Sequence, residues 1–414
     1  MAAMAAAAMA TGPATARAGD PAVAAVVAPA RADPGRARLN ERVFDTVWSE
    51  VRRDYYDPAL HGVNWSAARD LYRPQAIAAR DDRGLYRVLN AMLDLLDDDH
   101  AGVAAPAVAR RQELLRRPRA ILGVTLHPED GGDRYVIERV RPGSPADDAG
   151  VRVGWRLEPR EDLGWTPERD VVEGEPVTLA LFDDQGESRP LTLTPRRMEP
   201  LPAFVADRSR PGVAVLRGVG FEPGLGRWMG EQLASLPADT NVIVDLRSNP
   251  GGRLLEAEAV LSCFLPADQA WAVRTDRSGR RVVLKTEGGC GPLEQPASNA
   301  MAVLVNRQSR SAAELTPAAL QEAGRAVVVG EHTAGAVLIS QETDLPDGGR
   351  LTLSRADFVT SRGVRLEKRG VAPDLAAPTS AADRVAGRDT ALEAAIAALA
   401  GDEQARAAEP TPGL

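Results

Sequence analysis

NVIVDLRSNPGG, residues 241–252, decides the fold. Asn241–Leu246, with Val242-Ile243-Val244 at its centre, reads as a strand buried on both faces. It passes into Asn249-Pro250-Gly251-Gly252, a turn, and then into a helical pattern. The same rhythm recurs on both sides. Val213–Leu216 reads as a strand followed by a helix around Trp228–Leu236. Met301–Val305 reads as a strand followed by a helix over about Ala312–Ala323, and Ala326–Val329 as the next strand. Strands alternating with helices predict an α/β domain with a mostly parallel sheet. The turn at 249–252 then lies at the carboxyl edge of that sheet, where ligands bind in open α/β folds. Two glycines let backbone N–H groups face a ligand unobstructed, as an oxyanion hole requires. A plain strand-to-helix turn would read the same way.

Outward from this core, four further segments are expected. Residues 39–117 are helical, with Val43, Val47, Val51 and Tyr55 and then Leu85, Leu89, Met92, Leu93 and Leu96 at helical spacing. The second helix is read as running into Asp97-Asp98-Asp99-His100. Residues 118–197 change to short strands, with Pro142–Ala146 opening a short helix that ends at Ala149-Gly150 and a hairpin around Asp183–Glu187. The αβ core spans 198–380, and 381–414 hold a last amphipathic helix and a tail. Residues 1–38 are Ala- and Pro-rich without an aromatic residue. They read as an export signal, a disordered extension or a mis-set start. Export is the expectation, with a cytoplasmic location left open.

The composition narrows the chemistry. The 414 residues carry a formal charge of −8, and of the 50 basic residues only Lys285 and Lys368 are lysines. Such an acidic chain is a poor binder of nucleic acid, and no apolar run is long enough to span a membrane. Cys263 and Cys290 form no Cys/His cluster, so no metal or other cofactor is expected. They could be one disulfide or two buried thiols. The four histidines are His61, His100, His127 and His332. His61 and His127 read as solvated surface residues, and His332 follows a strand and could approach a site. His100 reads as a helix C-terminal residue that the acids beside it keep protonated. Ser311 opens a helix with Glu314 three residues on. That is a capping box, or a nucleophile held where a helix N-terminus favours developing negative charge.

In order and spacing, these blocks resemble the C-terminal processing (tail-specific) serine peptidases, including their tricorn-like branch. The resemblance runs over roughly residues 40–400. Its carriers are Trp48–Trp65, the Asp-x-His ending at His100, Gly143–Gly150, Asp245–Gly252, Ser311–Glu314 and Gly370-Val371-Ala372-Pro373-Asp374. It implies a crotonase/Clp-protease-like αβ core with an N-terminal helical segment and an inserted PDZ-like β domain. The better-known branch uses a Ser–Lys dyad, but the lysine position here is Ala336, and Lys285 and Lys368 lie outside that motif. The tricorn-like branch uses serine, histidine and glutamate, which map onto Ser311, His100 and Glu367. Ser311 would attack, His100 would move the proton, and Glu367 would orient the imidazole. Gly251 or Gly252, with Ala312, would form the oxyanion hole. The three aspartates before His100 are read as a helix surface.

The PDZ-like segment departs from pattern at Gly154-Trp155. Leu122, Gly123 and Val124 could still receive a peptide carboxylate by backbone N–H groups. The function implied is a serine endopeptidase acting on protein or peptide substrates. A silent peptide- or ligand-binding relative and an esterase using the same site are the alternatives.

Overall fold

A computed structural model gives the architecture. It describes residues 33–114, 119–128, 134–158, 171–183, 185–380, 382–383 and 386–408. The segment expected as a leader lies outside these, except that the first helix already begins at Pro34.

Three helices come first, α1 (Pro34–Asp54), α2 (Trp65–Ala78) and α3 (Asp82–Leu93). Asp33 caps α1 by accepting the N–H groups of Gly35 and Arg36. Val43, Phe44, Val47 and Val51 share one face of α1 and are fully buried. They pack with Leu85, Leu89 and Met92 of α3. β1 (Gly102–Ala104) and α4 (Pro106–Leu114) follow.

A small β unit comes next. Its strands are β2 (Arg119–Ile121), β3 (Val124–Pro128), β4 (Tyr135–Val140), β5 (Arg156–Leu157), β6 (Val177–Leu179), β7 (Leu181–Phe182), β8 (Leu191–Leu193) and β9 (Arg196–Met198), with the short α5 (Pro145–Asp148) after β4. The order β3-β4-β5-β7 makes one sheet, and β2–β9 and β6–β8 pair separately. Leu122, Ile137, Leu157, Leu181 and Leu193 are among its core residues.

The chain then enters the αβ core. β10 (Phe204–Asp207) pairs antiparallel with β11 (Val213–Gly218). α6 (Leu225–Ala234), β12 (Asn241–Asp245) and α7 (Leu254–Ser262) follow. Next are β13 (Ala270–Asp276), β14 (Arg281–Lys285), β15 (Met301–Val305), α8 (Ala312–Glu322) and β16 (Val327–Gly330). β17 (Ile339–Asp344), β18 (Arg350–Thr360), β19 (Leu375–Ala376) and α9 (Thr390–Ala408) complete the chain.

The main sheet runs β10-β11-β12-β15-β16-β19, parallel from β11 onward. It is covered on both faces, as a parallel sheet must be. Val242, Val244, Met301 and Val303 face α6, α7 and α8, while Ile243, Ala302 and Leu304 face Ala391, Ala395 and Leu399 of α9.

A second, antiparallel sheet of β1, β18, β13, β14 and β17 is the element that sequence reading did not find. Its long strand β18 pairs with β1 near its start and with β13 near its end. The helical segment packs on this sheet through Leu351 and Leu353. The sheet therefore joins the segment after His100 to the one before Glu367.

Cys263 and Cys290 are joined in a disulfide across 27 positions, which resolves the two alternatives left open by their spacing. The bond closes the β13–β14 hairpin onto the end of α7. Replacing both by alanine is expected to lower unfolding stability by about 3.5 kcal/mol, as expected for a loop of this length. Denaturant unfolding of oxidised wild type and of the double variant reads this directly.

Candidate active site

Ser311 follows β15 at the carboxyl edge of the main sheet and is the N-cap of α8. Its backbone stands at φ 54°, ψ −121°, a strained region for a residue with a Cβ. The surroundings account for that geometry. The Ser311 N–H donates to Ala336 O at 2.7 Å and to Glu314 Oε2 at 3.1 Å. Glu314 is fully buried. Its Oε1 accepts from Thr333 Oγ1 (2.5 Å) and Gly335 N (2.6 Å), and its Oε2 also accepts from Ala336 N (2.9 Å). Glu314 is thus more than half of a capping box: it fastens the 333–336 loop to the serine. The position of the dyad lysine is occupied by the buried methyl group of Ala336, whose carbonyl holds the serine N–H.

The turn quoted at the outset lies against this serine. Asn249 is buried, donates to Gly218 O at 2.8 Å and accepts the Gly251 N–H at 2.8 Å. Arg310 N–H donates to Asn249 O at 3.0 Å, and Ser309 Oγ to Leu246 O at 2.8 Å. Gly251 has φ 91°, and a Cβ there would lie 2.7 Å from Ser311 Cβ and 2.8 Å from Arg310 O. Only glycine fits this approach. Because Asn249 already takes the Gly251 N–H, the expectation that either glycine could donate narrows to Gly252. The N–H groups of Gly252 and Ala312 have no acceptor among the described residues.

His100 does not end a helix, contrary to expectation. α3 stops at Leu93, a 3-10 turn covers Asp94–Leu96, and Asp97 adopts left-handed φ 47°. This bend turns the chain inward before β1. Nor are the three aspartates one exposed surface. Asp97 and Asp99 are exposed, but Asp98 is buried and its Oδ1 accepts the His100 N–H at 2.8 Å. The acids do not keep the ring protonated either. Burial pushes His100 below the ordinary histidine value, and Arg310 and Lys368 add to this against the opposing pull of Asp98 and Asp99. The neutral imidazole is favoured as a result.

Glu367 is buried, and its Oε2 accepts the Val337 N–H at 2.8 Å. Burial raises its pKa and Asp98 adds to the rise, while the Val337 N–H, Arg365 and Lys368 oppose it. The next residue, Lys368, donates to Asp97 Oδ1 (3.3 Å) and Asp99 Oδ2 (3.1 Å) and bonds Gly335 O through its N–H. A continuous path therefore links the three segments, from Ser311 through Glu314 to the 333–337 loop, then Glu367-Lys368 and the aspartates before His100. His100 Nδ1, Glu367 Oε1, Asp98 Oδ2 and Tyr55 Oη are all buried without a hydrogen-bond partner.

Other sequence candidates fall elsewhere. His332 is exposed, and its Nδ1 lies 3.4 Å from Thr333 O. His61 is not simply solvated: its Nδ1 contacts Leu96 O and its Nε2 Tyr56 Oη, each at 2.7 Å, bracing the turn before His100. Lys285 pairs with Asp268 on the edge strand. The side chain of His127 lies outside the described residues. In the β unit Leu122 is buried, and its carbonyl accepts from Ala146 N at 2.9 Å. The Gly123 carbonyl accepts from Arg141 N at 2.8 Å. A Cβ on Gly123 would meet Ser144 at 2.1 Å. Sequence reading missed Asp98, Asn249 and the tying role of Lys368. Nothing in a run of three aspartates distinguishes the buried one.

Replacing Asp98 by asparagine is expected to move the acid limb of kcat/KM to lower pH. Asp98 raises both His100 and Glu367, so losing its charge lowers both, and the base becomes neutral at a lower pH. A pH–rate profile of the variant against wild type reads the direction.

Comparison with known proteins finds two matched domains. Residues 213–377 match the model of peptidase family S41, and residues 39–94 match the tricorn protease C1 domain. A chloroplastic C-terminal processing peptidase of Tetradesmus obliquus is 28% identical over 84% of this chain and 79% of its own. A carboxyl-terminal-processing protease of Picosynechococcus sp. is 26% identical over 80% and 81%. Among solved structures, the photosystem II D1 C-terminal processing protease superposes with a TM-score of 0.57 at 23% identity. That match covers 85% of this chain and 98% of the other. The tricorn protease gives 0.55 at 17% identity, covering 88% and 37%. Among the described residues no helix is long and apolar enough to cross a membrane. The parallel core with its serine-bearing helix and the preceding helical segment coincide with the two matched domains: the chain carries a peptidase family S41 domain behind a tricorn protease C1 domain, and is a serine-type peptidase.

Proposed function

We propose that this peptidase cleaves peptide bonds in C-terminal or unfolded protein segments through a triad of Ser311, His100 and Glu367. One observation carries the triad: His100 Nδ1 and Glu367 Oε1 are both buried and both unpartnered. They are a donor and an acceptor left without partners, a state too costly to keep through turnover. Pairing them orients the imidazole, stabilises the imidazolium and turns Nε2 toward the serine. Such bonds are commonly long in the absence of substrate and tighten in the substrate complex.

Ser311 then attacks the scissile carbonyl while His100 takes its proton. The N–H groups of Gly252 and Ala312 bind the oxyanion, and His100 returns the proton to the leaving amine. Water completes hydrolysis of the acyl-enzyme by the same steps. The core is read as crotonase/Clp-protease-like and the 119–198 unit as PDZ-like, with Leu122–Val124 offering N–H groups to a peptide carboxylate. An exported location is supported by the disulfide, which persists in oxidising compartments. A serine-directed fluorophosphonate tests the reading. Wild type is expected to label and Ser311→Ala not to label; equal labelling of both would exclude Ser311 as nucleophile.

A further inference from the structure

Arg310 stands between the nucleophile and the oxyanion turn. Its main chain is fixed from both sides: its N–H donates to Asn249 O, and its carbonyl accepts from Ala313 N, each at 3.0 Å. The position of its Cα relative to Ser311 and Gly251 is therefore set by the fold. The residue is half-buried. Several half-buried arginines pair with acids, and Arg277 and Arg325 bond main-chain carbonyls. Arg247 pairs with Asp245 and Asp389, Arg355 with Glu50 and Asp54, and Arg365 with Asp357. Arg310 has no carboxylate within ion-pair distance among the described residues, although the chain carries 58 acids.

We propose that Arg310 is a specificity determinant, a guanidinium held beside the reacting serine to bind a carboxylate of the substrate near the scissile bond. The proposal rests on the serine–histidine reading above. A guanidinium matches a carboxylate bidentately, and this one reaches the reaction centre through its charge. The groups acting on His100 are Asp98 and Asp99, which favour the imidazolium, and Arg310 and Lys368, which oppose it. Lys368 is already neutralised by Asp97 and Asp99. Arg310 is not, so in the free enzyme it disfavours the imidazolium that the reaction must form. A bound carboxylate cancels that charge at the moment of catalysis. Substrates carrying it gain in kcat as well as in KM, because the cancellation counts most in the transition state.

Two sources supply the same group, an Asp or Glu side chain and the α-carboxylate of a peptide C-terminus. The test uses one fluorogenic peptide in four forms, with Glu or Gln beside the cleaved bond and with a free acid or an amide at the C-terminus. Wild type, Arg310→Ala, Arg310→Lys, Arg310→Glu and Ser311→Ala are compared. Wild type is expected to prefer one carboxylate form over its neutral counterpart by about ten- to a hundredfold in kcat/KM, the scale of a charge-assisted hydrogen bond. Arg310→Ala loses the preference, and Arg310→Lys keeps part of it. Arg310→Glu transfers it to a peptide with Lys in place of Glu. The form that responds identifies the source. If wild type shows no preference, or Arg310→Ala and Arg310→Glu keep it unchanged while still labelling with fluorophosphonate, the assignment of Arg310 is wrong and the triad is untouched. If Ser311→Ala still cleaves, the triad reading itself fails.

Discussion

Ser311→Ala is expected to lower peptide hydrolysis by about 10⁴- to 10⁶-fold, to the residual activity left by the oxyanion hole and binding alone. His100→Ala should lose a similar factor, and the double variant no more than either single one, because a nucleophile and its base act as a unit. The fold should tolerate the serine change. Loss of an N-cap hydroxyl costs on the order of 1 kcal/mol, and the N–H contacts that hold residue 311, to Ala336 O and Glu314 Oε2, are made by the backbone. Alanine keeps the Cβ, so the φ of 54° remains equally strained in both proteins. A large loss of kcat with a nearly unchanged unfolding midpoint is therefore the expected pattern. Peptide cleavage rates and thermal unfolding, measured on the same preparations, separate it from simple misfolding.

Glu314→Gln is expected to have the largest structural effect of any single polar change in the core. The carboxylate receives four donors, the N–H groups of Ser311, Gly335 and Ala336 and the hydroxyl of Thr333. Glutamine keeps the shape but turns one acceptor into an NH₂ donor, which must face N–H groups already aimed at it. Both donors that face the NH₂ lose their acceptor, and the charge that strengthened the set is gone. We expect a loss of about 3–5 kcal/mol of stability, the range for breaking a buried charged network. Activity should fall with it, because Glu314 fixes both the serine N–H and the loop whose Val337 N–H holds Glu367. Denaturant unfolding gives the first effect. Fluorophosphonate labelling under native conditions gives the second, which should persist at temperatures where the variant is still folded.

The parallel core was legible because its signal is local. Val242–Val244 and Met301–Val305 are short β-branched-rich apolar runs, and each is followed by a turn and a helical pattern. The antiparallel sheet was not legible. β13 and β14 are strands that mix apolar and charged residues and stay largely half-exposed, and the pairing of β13 with β18 joins residues 80 or more positions apart. No spacing rule reaches that far. The candidate site divides in the same way. Ser311 and Gly251-Gly252 stand in compact motifs, so their juxtaposition could be expected.

His100 was found, but its protonation was read with the wrong sign. From the sequence only three neighbouring acids are visible. The burial that outweighs them is set by tertiary packing, and the cations that add to it, Arg310 and Lys368, are distant in the chain. Lys368 is instructive for the same reason. It was set aside because it is not a catalytic lysine, yet it ties the segment of the base to the segment of Glu367.

In the proposed mechanism His100, oriented by Glu367, activates Ser311. A crystal structure of the enzyme phosphonylated by a fluorophosphonate tests it most directly, since the adduct holds the site in its reacting arrangement. The adduct is expected on Ser311 Oγ, with His100 Nδ1 within about 3 Å of Glu367 Oε1 and the phosphoryl oxygen facing the N–H groups of Gly252 and Ala312. An adduct on another residue would contradict the account, as would a ring of His332 at the serine or His100 Nδ1 turned to Asp98 with Glu367 still unpaired.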